Sequence, residues 1–489
     1  MTNESQDRDV PSVGGFKNEV ELTMHEVESR VPYYALRALN GASVMEDVGS
    51  DQVHVRSCGN DYVVSKKTWT IVERVVERVR REECALRGMM APYNVEDQIR
   101  MIHAATKFTK QECMLDPKKL RVYFMRQDQG GCGWYRVMQP VRAINQYCSD
   151  TIIAEESDWL TFPLGQKYDV IVAPRVSHPL TIGILRNLQS CGKIIVYEAD
   201  DLLSAVPDYN PYKEMHDEVQ AFREFFVKMA DAAIVSTPEL GAGLGRDNIH
   251  VCHNGIDPAL WPMTVRGQAD GKVRILWAGS ATHEADLRMI VPAIRKVITK
   301  FGDNVEFVWV NYIPPEFIGA ATDTNGNLQR VVLNQFKGNM RFVPGCHVAK
   351  WPELLKQLDC HMALAPLVDN AFNRAKSEIK VLESWALGIP IVASDIAPYA
   401  RAIEHNVNGV LCAPNPDVWF NEIKRLVESP KRREALATDG LAQLRARYTT
   451  ELIAKQYESA LLNIAAGKVP RKECRDAIAG RLWRTAACL

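Results

Sequence analysis

Residues 373–395 read NRAKSEIKVLESWALGIPIVASD. The stretch is polar and charged at its start, helical in pattern through its middle, and closes on an apolar run before Ser394 and Asp395. Lys376, Lys380 and Glu383 recur at i, i+4 and i+7, so the spacing predicts one helical face. A helix start offers unpaired backbone N–H groups and a partial positive charge, and two lysines beside it suit a phosphate. Glu383, a turn further in, would accept hydrogen bonds from a sugar diol such as ribose. The bland alternative is a solvated charged face with a Lys380–Glu383 pair. The position of the helix, leading into a buried strand between two apolar runs, favours the ligand.

Strand and helix signals alternate along the chain before this stretch. From Leu120 they run LRVYFM (strand), a Gly-rich loop, KYDVIVAPR (strand), LTIGILRNLQSCG (helix), KIIVYEAD (strand) and AAIVST (strand). The polar stretch TVRGQADGK reads as a linker. The alternation then restarts with VRILWAG (strand), ADLRMIVPAIRKVITKFG (helix), VEFVWVN and MRFVPG (strands), WPELLKQL (helix) and CHMALAPL (strand). Such alternation predicts an α/β chain with two tandem Rossmann-like, doubly wound domains, each a parallel sheet covered on both faces. The expected divisions are an N-terminal extension over 1–117, a first domain over 118–265, a second over 266–445, and a C-terminal helix with a basic tail over 446–489. The extension is expected to be disordered at its start and then helical, through KKTWTIVERVVERVRREECALRG and VEDQIRMIHAATKF. Ligands of such sheets gather at the carboxyl ends of the strands, here in the cleft between the two domains.

Composition narrows the classes. With 489 residues, 46% hydrophobic and 24% charged, the chain is a multidomain globular protein. A net charge of −1 argues against wholesale coating of nucleic acid. The apolar runs are strand-sized, well short of the roughly 18 residues of a membrane span. The opening MTNESQDRDVPSVGG lacks the basic start and apolar middle of a signal peptide. The 12 cysteines form no C-x-x-C pair, and the three Cys-His dipeptides would point their side chains to opposite faces of a strand. These features predict a reduced, cytoplasmic compartment and no metal site.

Two further motifs stand at strand ends. In DQGGCGWYRVMQP, Gly130, Gly131 and Gly133 allow a tight turn with close backbone approach to a ligand, or a plain turn. Arg136 follows, as a phosphate clamp or a helix-surface charge. In IIVYEADDLLSAV, Asp200 and Asp201 end a strand where chemistry gathers. Either carboxylate could serve as a base, hold an acceptor hydroxyl or steady a cationic sugar, and either could instead cap the following helix.

The segment KSEIKVLESWALGIPIVASD resembles the signature region of GT-B-fold glycosyltransferases of family four, also called group 1. Leu382, Glu383, Ala386, Gly388, Pro390, Ile391, Val392 and Ala393 match its pattern. The sequence FNRAKS, with Lys380, Leu382 and Glu383 after it, is closest to a subgroup found in bacteria and phages. The resemblance covers about residues 118 to 465. It implies that Glu383 holds the nucleotide ribose. It places a donor-sugar glutamate at position 375, where this chain has Ala375.

Further roles are implied by the resemblance alone. Gly279, Ser280 and His283 would contact the donor diphosphate in place of the usual Gly-Arg, with the charge made up by Arg374, Lys376 and Lys380, beside Ser377. Gly345, His347 and Val348 would flank the nucleobase. Asn373, with Asp369 and Asn370, would meet the donor sugar. Asp200 stands where a histidine faces that sugar. The implied activity is transfer of a sugar from a nucleotide-sugar, UDP-sugar being favoured, to an acceptor hydroxyl, with retention and no metal or other cofactor. The acceptor is open among a glycan, a lipid-linked sugar and a modified DNA base, and the basic tail from Lys468 could meet phosphates or an anionic membrane. Alternatives are a sugar-nucleotide epimerase and a scaffold without activity.

Overall fold

The computed structural model describes the strands at 43–47, 52–57 and 60–65, and residues 119–467 apart from 159, 161, 268–270 and 323–327. The two helices expected at 66–88 and 95–108, and the basic tail, lie outside the described residues.

The chain divides into two compact units, 1–112 and 113–489. What is described of the first unit is a three-stranded antiparallel sheet: β1 (Ser43–Asp47), β2 (Gln52–Ser57) and β3 (Asn60–Ser65), with β2 in the centre. Sequence reading had expected only disorder and helix in this extension. β2 and β3 pair antiparallel, with Ser57 opposite Asn60.

The larger unit consists of two lobes, each built on a six-stranded parallel sheet. In the first lobe β4 (Leu120–Met125), β5 (Ile152–Ser157), β6 (Val170–Pro174), β7 (Ile194–Ala199), β8 (Ala232–Val235) and β9 (Ile249–Val251) lie in the order β5-β4-β6-β7-β8-β9. In the second, β10 (Val273–Ala278), β11 (Val305–Val310), β14 (Met340–Val343), β15 (Met362–Ala365), β16 (Ile391–Ser394) and β17 (Val410–Cys412) lie in the order β14-β11-β10-β15-β16-β17. A hairpin of β12 (Ile318–Thr322) and β13 (Leu328–Val332) stands apart. The strand order reverses at β4 in one sheet and at β10 in the other, so each sheet opens its ligand crevice beyond that strand. The Gly-rich loop follows β4 and the Gly279-Ser280 turn follows β10, which places both motifs at switch points.

The central strands are near-continuous runs of fully buried apolar residues, as a sheet covered on both faces requires: Val170 to Ala173 and Ile195 to Tyr197 are at most 1% exposed. Helices form where apolar residues recur at three and four. Helix α5 (Glu284–Phe301) buries Leu287, Ile290, Val291, Ile294 and Val297, starts with Glu284 and Asp286, and carries Lys300 in its last turn. Earlier helices are α1 (Gln139–Tyr147), continued from a π-helical turn at Trp134–Met138, α2 (Pro179–Ser190), α3 (Lys213–Glu218) and α4 (Gln220–Met229). Helix α6 (Ile379–Ala386) belongs to the opening stretch, and α7 (Thr450–Ala466) is the last described helix.

Helix α7 returns to the first lobe. Ile453, Tyr457, Leu461 and Ile464 pack in one core with Val137, Val141 and Ile144. Gly388 ends α6 at φ 71°, and a Cβ there would sit 1.9 Å from the Thr264 carbonyl oxygen. Only glycine fits both demands. No helix among the described residues is long and apolar enough to cross a membrane.

Candidate active site

Helix α6 starts at Ile379, with Glu378 in the capping position. Lys376 therefore precedes the helix, which corrects the single face expected for Lys376, Lys380 and Glu383. The two lysines diverge. Lys380 lies on the helix, where its Nζ reaches the Ala278 carbonyl and stands 5.2 Å from the Trp277 ring centre. Lys376 reaches across the cleft, where its Nζ is 3.1 Å from Asp201 Oδ1 of the first lobe.

The reason is that residues 375 to 378 form a seam on which the two lobes meet. The Ala375 carbonyl accepts from Thr237 Oγ1 at 2.8 Å. Ser377 Oγ accepts from Asn254 Nδ2 at 2.9 Å. Glu378 faces His253 at 3.3 Å and Arg401 at 3.0 Å, and Arg401 also pairs with Glu239 of the first lobe. Four consecutive residues of the second lobe thus hold four sites of the first. Ala375, where the resemblance implied a sugar-binding glutamate, packs its methyl into the first lobe's apolar core at 2% exposure.

Glu383 joins the same meeting of lobes. Tyr135 of the first lobe donates its hydroxyl to Glu383 Oε1 at 2.8 Å, and Trp351 Nε1–H donates to the same oxygen at 3.1 Å. Burial pushes the Glu383 carboxyl above its usual value, against the pull of Lys380 and these two donors. Burial brings the Lys380 ammonium down to about 8, opposed by Glu383 and reinforced by Lys376. Burial thus works against the charged form of both groups, a pattern common at functional sites.

Asp200 and Asp201 do not cap a helix; a short 3₁₀ turn follows, without a side-chain cap. Their environments differ. Burial alone would raise the Asp201 carboxyl, but Lys376, by charge and hydrogen bond, outweighs it and holds it below its usual value. Asp200 Oδ1 is buried with no hydrogen-bond partner, its nearest cation being Arg175 Nε at 3.8 Å.

The Gly-rich loop is satisfied internally. Asp128 Oδ1 accepts from the backbone N–H of Gly130 at 2.8 Å and of Gly133 at 3.1 Å, while Oδ2 pairs with Arg175 at 2.6 Å. A Cβ at Gly133 would lie 1.9 Å from the Asp128 carbonyl oxygen, so glycine is required there for a contact within the loop. Arg136 is neither clamp nor surface charge. It is 1% exposed, donates through Nε to Glu198 Oε1 at 2.5 Å, and through Nη1 to the Cys252 carbonyl and Asn254. Burial pushes the Glu198 carboxyl up to about 7 in spite of Arg136.

In the second lobe, the Gly279 N–H is used by the Val310 carbonyl at 3.2 Å and so does not face a ligand. Ser280 begins the turn into α5, its hydroxyl 2.6 Å from that of Thr282. His283 Nδ1 lies 2.8 Å from Asp286 Oδ2. Burial, with Lys380 and Lys376, lowers this imidazole to about 4 against the effect of Asp286, so it is neutral at neutral pH. The Asn373 amide nitrogen donates to Asp286 Oδ1 at 3.1 Å and to the Val368 carbonyl at 2.9 Å. Arg374 forks onto Asp369 at the surface and brings no charge to the cleft. The loop with Gly345, His347 and Val348 is bound to itself, His347 Nδ1 accepting from the Ala349 N–H at 3.2 Å, and it leads to Trp351 beside Glu383.

An open cavity of about 130 Å³ lies between the lobes, at the carboxyl ends of both sheets. Asp201, His283, Asn373 and Lys376 line it together. Tyr209 and Arg175 also line it and were not foreseen. Tyr135, Trp351, Asn254 and Glu378 were missed as well, since their partners lie 32 residues or more away in sequence for the first two and a glutamate after Ser377 carries no local signal. Among the described residues, no group of three or more His, Cys, Asp or Glu is placed to hold a metal ion.

Comparison with known proteins adds to this geometry. Among solved structures, sucrose-phosphate synthase from Thermosynechococcus elongatus is similar with a TM-score of 0.49 at 13% identity, over 72% of this chain and 100% of that one. Anabaena HepE in complex with UDP and glucose is similar with a TM-score of 0.48 at 16% identity, over 70% and 100%. In sequence, an uncharacterized glycosyltransferase of Methanocaldococcus jannaschii is 24% identical over 355 residues, 67% of this chain and 83% of that protein. Glycogen synthase of Mycobacterium tuberculosis is 23% identical over 259 residues, 52% of this chain and 56% of that enzyme. Residues 272–429 match the family model described as glycosyl transferases group 1.

The chain thus has two lobes, each on a six-stranded parallel doubly wound sheet, and its relatives in sequence carry glycosyltransferase names. The matched residues 272–429 fall on the second lobe, which is the part similar to the group 1 glycosyl transferases.

Proposed function

We propose that the chain transfers a sugar from a nucleotide-sugar, UDP-sugar in the first instance, to an acceptor hydroxyl, with retention and without a metal. The observation that carries the reading is the cavity between the lobes, where Lys376, His283 and Asn373 of the group 1 domain face Asp201 of the other lobe. Glu383 receives the ribose diol, since both protein hydrogen bonds to it fall on Oε1 and leave Oε2 for the ligand. Lys380 and the Ser280 turn, at the start of α5, take the diphosphate. A bound diphosphate raises the Lys380 ammonium again, which turns part of its burial cost into donor affinity.

Asp201 is ion-paired and therefore a weak base. Its role in this reading is to orient the acceptor hydroxyl and to stabilise positive charge that develops on the sugar. Neutral His283 holds its one ring proton on Nδ1 against Asp286, so Nε2 presents a lone pair to the cleft and accepts from a sugar hydroxyl. Lys376 shares its charge between Asp201 and the departing phosphate, so the group that links the lobes also assists departure.

The test is a panel of UDP- and GDP-sugars, read by thermal shift and by release of free nucleotide. A donor at about 100 times its Kd stabilises by about 2.7 kcal/mol. A panel in which no nucleotide-sugar shifts the melting temperature overturns the transferase reading.

A further inference from the structure

Between β7 and β8 the first lobe carries a surface that the donor chemistry does not use. Tyr209, Tyr212, Met215, Phe222 and Phe225 are between 43% and 54% exposed. Four of the five aromatic side chains among the exposed large hydrophobics of the described residues fall here. Tyr212 stands just before α3, with Met215 a turn along; Phe222 and Phe225 are a turn apart on α4, whose Arg223, Phe226 and Val227 are buried. Tyr209 and Tyr212 also line the cavity between the lobes, so the aromatic stretch begins at the transfer site itself.

The charge around these rings selects the partner. Over α3 and α4 there are three basic side chains, Lys213, Arg223 and Lys228, against four acidic ones, Glu214, Asp217, Glu218 and Glu224. A nucleic-acid backbone or an anionic bilayer calls for the opposite balance. Arg175, Asp201 and Lys376 line the cavity beside the tyrosines, Lys376 engaged with Asp201 and Arg175 with Asp128, and two neutral groups add donors. Asn210 Oδ1 accepts from the Tyr212 N–H at 2.9 Å, which leaves its amide N–H groups. His216 Nδ1 accepts from Arg223 at 3.4 Å, so the proton of the neutral ring sits on Nε2. Flat rings with neutral donors at their edge match one chemistry: a pyranose, with C–H faces to lie on an aromatic ring and hydroxyls to accept.

We propose that Tyr209 and Tyr212 bind the terminal sugar of the acceptor, and that Met215, Phe222 and Phe225 carry the preceding units, so that the acceptor is an uncharged saccharide chain. This rests on the transferase reading for the identity of the ligand as acceptor. Arrayed neutral oligosaccharides of two to eight units, a 15-nucleotide single-stranded DNA and phosphatidylglycerol vesicles are tested for binding to the full chain, with a nucleotide-sugar thermal shift on each variant as control. Neutral oligosaccharides of four or more units are expected to bind, and F222A/F225A to weaken them about tenfold while leaving disaccharides and the nucleotide shift unchanged. Y212A is expected to weaken long and short saccharides alike. Binding of DNA or vesicles in place of every oligosaccharide overturns the proposal. So does a nucleotide shift in a protein that binds no oligosaccharide. A melting temperature lowered by F222A/F225A with saccharide binding unchanged overturns it too, because the rings are then covered by the chain itself. Loss of the nucleotide shift from the wild type, with saccharides still bound, overturns the transferase reading and leaves the subsite standing.

Discussion

The two lobes present the same crevice and treat it in opposite ways. Beyond β4, the Gly-rich loop is closed by the chain's own carboxylate: Asp128 sits on the loop amides, and Arg136 is buried against Glu198. Beyond β10, basic and carboxylate groups are held in costly ionisation states at the cleft: Lys380 is lowered to about 8 and the Glu383 carboxyl is raised. A switch point supplies a place for a ligand, and the side chains decide whether the protein fills it or leaves it for another molecule. At its switch point one lobe closes the loop on its own side chains, while the other keeps buried charged groups there.

The largest expected effect tests the rigid side. R136M strands Glu198 in a site where both side chains are 1% exposed. The loss in unfolding free energy is expected to be about 3–5 kcal/mol, measured by urea titration, with donor affinity little changed. A tenfold loss of donor affinity at unchanged stability would return Arg136 to the role of clamp and dissolve the contrast. Next, on the binding side, E383A removes the acceptor of a ribose diol. Charged hydrogen bonds of about 1.5–3 kcal/mol predict a donor Kd raised about 10- to 100-fold by calorimetry.

A third test uses pH. The Lys380 ammonium titrates near 8 in the free protein, and a bound diphosphate raises it. Donor Kd should be flat below pH 8 and rise by about tenfold per pH unit above it, as binding must then take up a proton. The same group acts on stability with the opposite sign. Its folded value is below its unfolded one, so its stabilising contribution is present at high pH and lost as pH falls through about 8. K380M should abolish both slopes. The smallest effect belongs to Y135F, which removes one neutral donor from Glu383 across the lobes. A change of about 1 kcal/mol in donor binding is expected, together with a shift of the solution scattering profile toward a more open pair of lobes.

Much of this architecture is legible in the chain. Runs such as VIVAP and IIVYEA are buried on both faces and could hardly be anything but central strands, and the alternation with helices implies parallel sheets. The short edge strand β9 and the hairpin β12–β13 carry weaker patterns and were not expected. At the site, position along the chain located the groups but not their company. Lys376 looked helical by spacing, yet it is drawn off the helix by Asp201, 175 residues away. Arg136 looked available because its partner Glu198 is 62 residues on. Contacts at such separations leave no periodic trace, so a local reading assigns the residue type correctly and its occupation wrongly.

The seam at 375–378 has a consequence for how this enzyme can change. Ala375 stands where the family resemblance implies a carboxylate, and here that side chain is part of the other lobe's core. A one-step return to glutamate would bury an unpaired charge and separate the lobes before it could meet any substrate. A substitution at half-exposed Tyr209, on the wall of the cleft, buries no such charge.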